Sequence, residues 1–360
     1  MLIARIGRYN DDPDPFFVER DARVNLSDKV LKSVAFIGIK KDGRFQPRAT
    51  AFFVSYEEDQ HKFDHLVTAE HVIAGLLTGG HDIWLRVNLK NGDGGEVRLD
   101  DPGAFRFHPN ENERTDVAVC PFSPNALGND ATGETLSADT VSLVLDESER
   151  GFLPTEEFAK QSMGLGGQIA IVGLFRSHYG KNRNIPIVRV GNISALPGEP
   201  VWTRYAGYLS AYLIEARSIA GLSGSPVFAL SDYATVLANN LRGGAVKQMA
   251  ALVGLMHGHF DIPNLNEDVV ADEDAPTRSV HTGIGVVIPV SKILETIRHP
   301  ELTDMRKASV ERLRKTGATA DVSSDDNVVV SPPASDANPK HREDFKRLLD
   351  AAARKPPQED

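Results

Sequence analysis

The 360-residue sequence has a single cysteine, Cys120. No intramolecular disulfide can form, which excludes a disulfide-stapled secreted fold and makes a reducing, cytoplasmic setting the expectation. No uncharged apolar run reaches the ~18 residues of a membrane-spanning helix, so no membrane association is expected. The short apolar stretch at the N-terminus is broken by Arg5 and Arg8 and does not make a secretory signal. Residue 2 is leucine and the cysteine is internal, so neither invites a lipid. An excess of positive charge is also missing: 40 Lys and Arg stand against 50 Asp and Glu, a net charge of −10. An acidic chain without a basic-aromatic stripe has no electrostatic drive towards nucleic acid. There is no Gly-x-x-x-x-Gly-Lys-Ser/Thr loop for phosphates. His61 with His65, and His257 with His259, lack the accompanying Cys or carboxylate spacing of a metal site. Neither a metal nor a cofactor is expected. What remains is ordinary globular composition, 41% hydrophobic and 25% charged. The length suggests about two core-forming units.

Residues 1–28, with Asp11, Asp12, Pro13, Asp14 and Pro15, read as an irregular arm. From residue 29 the texture changes to short apolar runs divided by polar or glycine-bearing turns. Examples are Ser33–Ile39, Ala51–Val54, Ile83–Val87, Gln168–Gly173, Ile185–Val190 and Ala250–Leu255. Such runs, rich in β-branched residues, indicate an all-β barrel or sandwich. We divide residues 29–300 into one β unit over about 29–125, a crossing over 126–165, and a second unit over 166–300. Ile284–Val290 reads as the last strand. Ser291 is positioned to cap a short helix through Ile293, Leu294 and Ile297. Residues 301–360 read as a charged, disordered tail, with a weakly amphipathic helix over 340–354 that could dock a regulatory protein.

Three segments carry chemistry. An apolar strand ends in Thr68-Ala69-Glu70-His71. Asp116 leads directly into Val117-Ala118-Val119. Ser223 sits in Gly221-Leu222-Ser223-Gly224-Ser225-Pro226, just before another apolar run. A serine hydroxyl is a poor nucleophile at neutral pH unless a neighbouring base takes its proton. Histidine suits that task because its unperturbed pKa is near ~6.5. A carboxylate on the other ring nitrogen fixes the tautomer and stabilises the imidazolium. Gly221 lets the backbone turn so that its N–H and that of Ser223 converge on one oxygen. The histidine and aspartate fall in the first β unit and the serine in the second.

In this order the three segments resemble the trypsin-like serine peptidases of the chymotrypsin fold. In texture they are nearest to bacterial proteases of the high-temperature-requirement type. Val188–Ala195 and Gly283–Pro289 fit the same pattern. The resemblance spans about residues 30–298 and implies two antiparallel six-stranded barrels with the site between them. It implies His71 as general base, Asp116 as its orienter, Ser223 as nucleophile, and an oxyanion hole from Gly221 and Ser223. Protein or peptide would be the substrate. The C-terminal peptide-binding PDZ domain common in those relatives is not expected, because the last sixty or so residues show no strand pattern.

Departures from the pattern are informative. Ser225 stands where a second glycine is usual, which is compatible with activity if the backbone angles there admit a side chain. Leu222 replaces the acidic residue that pairs with a freshly cut N-terminus, so activation by trimming is not expected. Arg217 lies at the offset of the primary specificity residue and would favour an acidic side chain before the cut bond. Leu255, Met256 and His257 are expected to wall the substrate pocket. The alternative reading is a catalytically silent or latent peptide-binding scaffold of the same fold.

Overall fold

The computed structural model describes residues 28–99, 101–110, 112–122, 136–147, 151–203, 205–216, 221–231, 249–263 and 279–316. The expected helix over 340–354 lies outside the described residues, and of the N-terminal arm only Asp28 is described, as the first residue of helix α1 (Asp28–Lys32).

The first unit is a seven-stranded sheet. It contains β1 (Val34–Lys41), β2 (Arg44–Glu58), β3 (His61–Thr68), β4 (Trp84–Asn88), β5 (Gly94–Arg98), β6 (Ala118–Pro121) and the two-residue β7 (Leu143–Val144). The path runs β5-β4-β1-β2-β3-β6, with β7 pairing in parallel on β2. Its first two hairpins are set by two-residue turns. Asp42-Gly43 and Asp59-Gln60 all have positive φ, the backbone shape whose twist matches that of paired strands. They fix the registers Lys41↔Arg44 and Glu58↔His61. Helix α2 (Glu70–Thr78) follows β3 directly.

The second unit holds helix α3 (Glu156–Ser162), β8 (Gln168–Gly173), β9 (Ile187–Ala195), the hairpin β10 (Val201–Thr203) and β11 (Gly207–Leu209), β12 (Tyr212–Glu215), β13 (Pro226–Leu230), β14 (Ala250–Pro263) and β15 (Ser279–Pro289). Six of these strands close a barrel in the order β12-β15-β14-β13-β8-β9. The all-β architecture expected of the chymotrypsin fold is therefore present, with one of the two expected six-stranded barrels closed and a seven-stranded sheet, carrying the parallel β7, in the place of the other. The strands that face the first unit are buried on both sides. On β8, Ile169 and Ile171 fill the barrel while Ala170 and Val172 join the larger core shared with the first sheet. Strand β13 divides the same way, Val227 and Ala229 inward, Phe228 and Leu230 outward. Period-two alternation between two cores is why these stretches read as unbroken apolar runs.

Two expectations at the C-terminal end are corrected. Ser291 does not cap the helix that follows β15: α4 (Val290–Ile297) begins one residue before it, with Pro289 in extended backbone as its N-cap and no side-chain cap bond. Strand β15 runs straight into the helix, so Ser291 already lies inside the first turn. The tail does not begin at residue 301, because Pro300–Thr316 forms a 17-residue helix, α5. Proline at its first position suits a helix start. The helix docks through Leu302, Val310 and the buried Arg306. Arg306 donates to Glu58 Oε2 (2.5 Å), the Ile297 carbonyl (2.8 Å) and Thr303 Oγ1 (3.1 Å), and its guanidinium lies over Tyr56. No helix among the described residues is long and apolar enough to cross a membrane.

Truncating Arg306 would leave Glu58 and the Ile297 carbonyl short of a donor. Arg306→Ala is expected to lower the unfolding free energy by about 2–4 kcal/mol, read from urea denaturation followed by circular dichroism.

Candidate active site

His71 is the second residue of α2, whose N-cap, Ala69, offers no side chain to the free N–H groups of the first turn. Asp116 takes that place. Its Oδ1 accepts the His71 backbone N–H at 2.8 Å and its Oδ2 meets His71 Nδ1 at 2.8 Å. One carboxylate therefore caps the helix, favoured by the positive end of the helix dipole, and also orients the ring. Asp116 is buried, 2% exposed, immediately ahead of β6. A second imidazole reaches the same oxygen from the other unit: His257 Nδ1 lies 2.5 Å from Asp116 Oδ2. An ionised carboxylate only accepts, so both Nδ1 atoms carry the proton.

The electrostatics follow from this geometry. Burial disfavours the Asp116 anion, but the charges and hydrogen bonds of His71 and His257 outweigh it and hold Asp116 well below the usual carboxylate range. Burial also works against a charged His71, yet the Asp116 charge and hydrogen bond prevail and raise His71 above its ordinary value. Glu70 is pushed up to about 8 by burial and by the Asp116 charge, against the opposing charge of Arg114. Tyr205, at the tip of the β10–β11 hairpin, stacks on the His71 ring with centroids 5.1 Å apart and planes 12° apart.

Ser223 arrives on a turn that Thr50 of β2 holds in place. Thr50 Oγ1 donates to the Gly221 carbonyl (2.9 Å) and accepts the Leu174 N–H (2.9 Å). The Thr50 N–H donates to the Ser223 carbonyl (3.0 Å). Thr68 Oγ1 donates to the Thr50 carbonyl (2.8 Å), which ties the end of β3, and so the start of α2, to the same bracket. Gly224 has φ +80°, and a Cβ there would meet the Thr50 carbonyl oxygen at 2.2 Å and Thr68 Oγ1 at 2.4 Å. The serine turn is thus in direct contact with the strand end that leads to His71, and only glycine fits the join. Ser225 is not among the positive-φ residues, so its backbone admits a side chain. Its hydroxyl fits because the facing residue is Gly173, where a Cβ would lie 1.9 Å from it.

The Ser223 hydroxyl donates to the carbonyl oxygen of His257 at 3.1 Å. Among the described residues it makes no hydrogen bond to His71. Gly221 has φ +105°. Among the described residues neither its N–H nor that of Ser223 donates to a protein acceptor. Arg217 lies outside the described residues.

The three residues expected to wall the substrate pocket are all buried. Leu255 and Met256 are fully buried, Leu255 in the shared core and Met256 in the barrel core. Their backbones are engaged too, since Leu255 pairs with Pro226 and Ile288, while Met256 exchanges hydrogen bonds with Ser225 and Gly224. His257 is also buried, at 4% exposure, and its ring meets Asp116. Sequence reasoning missed this contact and the Thr50 bracket. The one signal for His257 is a histidine closing the apolar run Ala250–Met256. A lone threonine inside β2 gives none.

Two groups of His, Asp and Glu side chains bring three potential metal-ligand atoms close together. A metal ~2.0–2.1 Å from each ligand of a tetrahedral site holds ligand atoms about 3.3 Å apart. The 2.8 and 2.5 Å contacts within His71, Asp116 and His257 are hydrogen bonds and too short for a shared ion. In the group of His108, Glu113 and Glu295 the cation's place is taken by Lys292, 2.6 Å from Glu113 and 2.9 Å from Glu295. That network ties the approach to Asp116 onto α4.

No protein-family model matches the chain, and no curated protein matches it. Among solved structures it is similar to the crystal structure of Deg5, at 14% identity over 76% of this chain and 90% of that one, with a TM-score of 0.41. It is also similar to the MamO protease domain from Magnetospirillum magneticum in its apo form (13%, 74% and 96%, TM-score 0.38). A third is the Rv3671c protease in an inactive form (14%, 75% and 89%, TM-score 0.35).

Two outcomes test the geometry. Thr50→Val strands the Leu174 N–H and the Gly221 carbonyl, and is expected to cost about 2–4 kcal/mol, whereas Thr50→Ser costs little; thermal and urea unfolding measure both. Asp116 binds its proton at lower pH in the folded than in the unfolded chain. Its stabilisation is full above the ordinary carboxylate value of ~3.9 and is lost as pH falls from there. His71, raised when folded, has the opposite sign: its contribution is full below ~6.5 and fades as pH rises. Urea midpoints between pH ~5 and ~2.5 should fall less steeply in Asp116→Asn than in the wild type.

Proposed function

We propose that the chain is a serine endopeptidase acting through an acyl-enzyme on Ser223. The observation that carries the reading is the doubly bonded His71–Asp116 pair, with the Ser223 turn packed against the strand end that bears it. In this scheme the Ser223 hydroxyl turns from the His257 carbonyl to His71 Nε2. It gives up its proton as the oxygen attacks the scissile carbonyl. The N–H groups of Gly221 and Ser223 receive the oxyanion. His71 passes the proton to the leaving amine as the C–N bond breaks. It then takes one from the water that cleaves the ester and returns Ser223 to its hydroxyl form. Asp116 stays ionised throughout and holds the ring by Nδ1. Protein or peptide is the substrate class.

A second reading, a latent peptide-binding scaffold, draws on one observation, the Ser223 hydroxyl seated on the His257 carbonyl. A fluorophosphonate probe separates the two. Wild type is expected to label, Ser223→Ala to stay unlabelled, and Asp116→Asn to lose about 10⁴ in kcat on a peptide substrate. Equal labelling of wild type and Ser223→Ala rejects the nucleophile. An unlabelled, non-cleaving wild type that binds peptide favours the scaffold.

A further inference from the structure

The scheme above gives no task to the buried imidazole of His257. On β14, Met256 pairs with Val287 and Gly258 with Val286, so His257 is an extra residue with no partner opposite. A bulge of this kind re-aims a side chain out of the strand's alternation. Here it sends the imidazole from the barrel across to Asp116 of the other unit, at 2.5 Å. The two histidine rings meet edge to face, 5.3 Å apart and inclined at 74°. Both Nδ1 atoms converge on the same carboxylate oxygen, Oδ2. The backbone of this same residue seats the Ser223 hydroxyl.

We propose that His257 is a positioning residue that acts through Asp116: its Nδ1–H shares Oδ2 with His71, setting how strongly the carboxylate holds the His71 ring, while its bulge sets where the Ser223 hydroxyl lies. The inference rests on the peptidase reading for its effect on rate, though its coupling of the two rings through Asp116 does not. The sign follows from charge. With His257 present, two imidazoles divide the charge of one oxygen. Remove its N–H and the carboxylate turns wholly to His71, which then holds its proton to higher pH. Among the described residues, the other ionisable groups around the trio are Glu70 on α2, Arg114 ahead of β6 and Tyr205 on the hairpin, all unchanged in the variants below.

The test uses the full chain, nitrogen-15 labelled, as wild type, His257→Phe and His257→Asn. Phenylalanine keeps the ring and removes the donor; asparagine keeps an N–H at the same distance from the backbone. His71 ring resonances followed against pH should show its midpoint higher in His257→Phe by roughly half to one unit, and restored towards wild type in His257→Asn. With a peptide substrate, His257→Phe should lower kcat about three- to tenfold near neutral pH with KM little changed, because a His71 midpoint raised by roughly half to one unit leaves that much less free base. An unmoved His71 midpoint in a folded His257→Phe overturns the proposal. Should that variant not fold, the wild type alone decides, because the proposal requires neutral His257 to carry its proton on Nδ1. A proton found on Nε2 overturns it. Fluorophosphonate labelling of wild type is run beside these. Failure to label retires the peptidase reading, while the His71 midpoint still decides the coupling.

Discussion

The structure of the site depends on one buried negative charge. A carboxylate taken out of water at this depth costs several kcal/mol unless its lone pairs are filled. Asp116 has them filled by three N–H donors from two places: the backbone and ring of His71 at the head of α2, and the ring of His257 on β14. Neither source suffices alone. The helix start supplies no donor unless β3 ends where it does, and the His257 ring supplies none unless the barrel is docked against the first sheet. The anion is therefore stable only when both units are assembled, and the assembled arrangement is the one that orients His71.

Docking of the units rests on a second polar junction that works without charge. Thr50 lies at the middle of β2, fully buried, yet its N–H, carbonyl and hydroxyl all bond outside their own hairpin turn: to Ser223, Thr68, Gly221 and Leu174. A valine of the same shape would satisfy the strand's packing equally well. The hydroxyl is explained by the Gly221 carbonyl, which has turned inward because Gly221 adopts positive φ. The turn that carries the Gly221 and Ser223 N–H groups is thus paired with a threonine 171 residues earlier in the chain. Fold and site share these atoms.

How far this was legible in sequence follows from the same physics. Strands such as Gln168–Gly173 could be read because both faces meet a core, and the His71, Asp116 and Ser223 segments could be read because each ends or begins such a strand. Helix α5 could not. Its mean composition is polar, and much of its attachment is made by Arg306, a residue that in sequence signals solvent. Arginine can be buried when a carboxylate, a carbonyl and an aromatic face all await it, and none of these is visible from the helix alone. His257 escaped for a different reason. Strand alternation predicts where a side chain points only while the register holds, and His257 sits where it breaks. The bulge that gives it a role also hides that role from periodicity.

The position of the Ser223 hydroxyl bears differently on function than the position of Asp116. A neutral hydroxyl-to-carbonyl bond nets about 0.5–1.5 kcal/mol, and a serine has three staggered positions to choose from. Breaking its bond to the His257 carbonyl, as the proposed scheme requires, therefore costs about tenfold in population, small beside the ~10⁶-fold or greater acceleration enzymes achieve. Moving Asp116 would expose or strand a charge, at a far larger penalty. The group whose displacement is expensive is held by three donors, and the neutral group whose displacement is cheap by one acceptor. In a peptidase this is also the useful division, since the imidazole must keep one tautomer through every turnover while the hydroxyl oxygen must leave its seat in each.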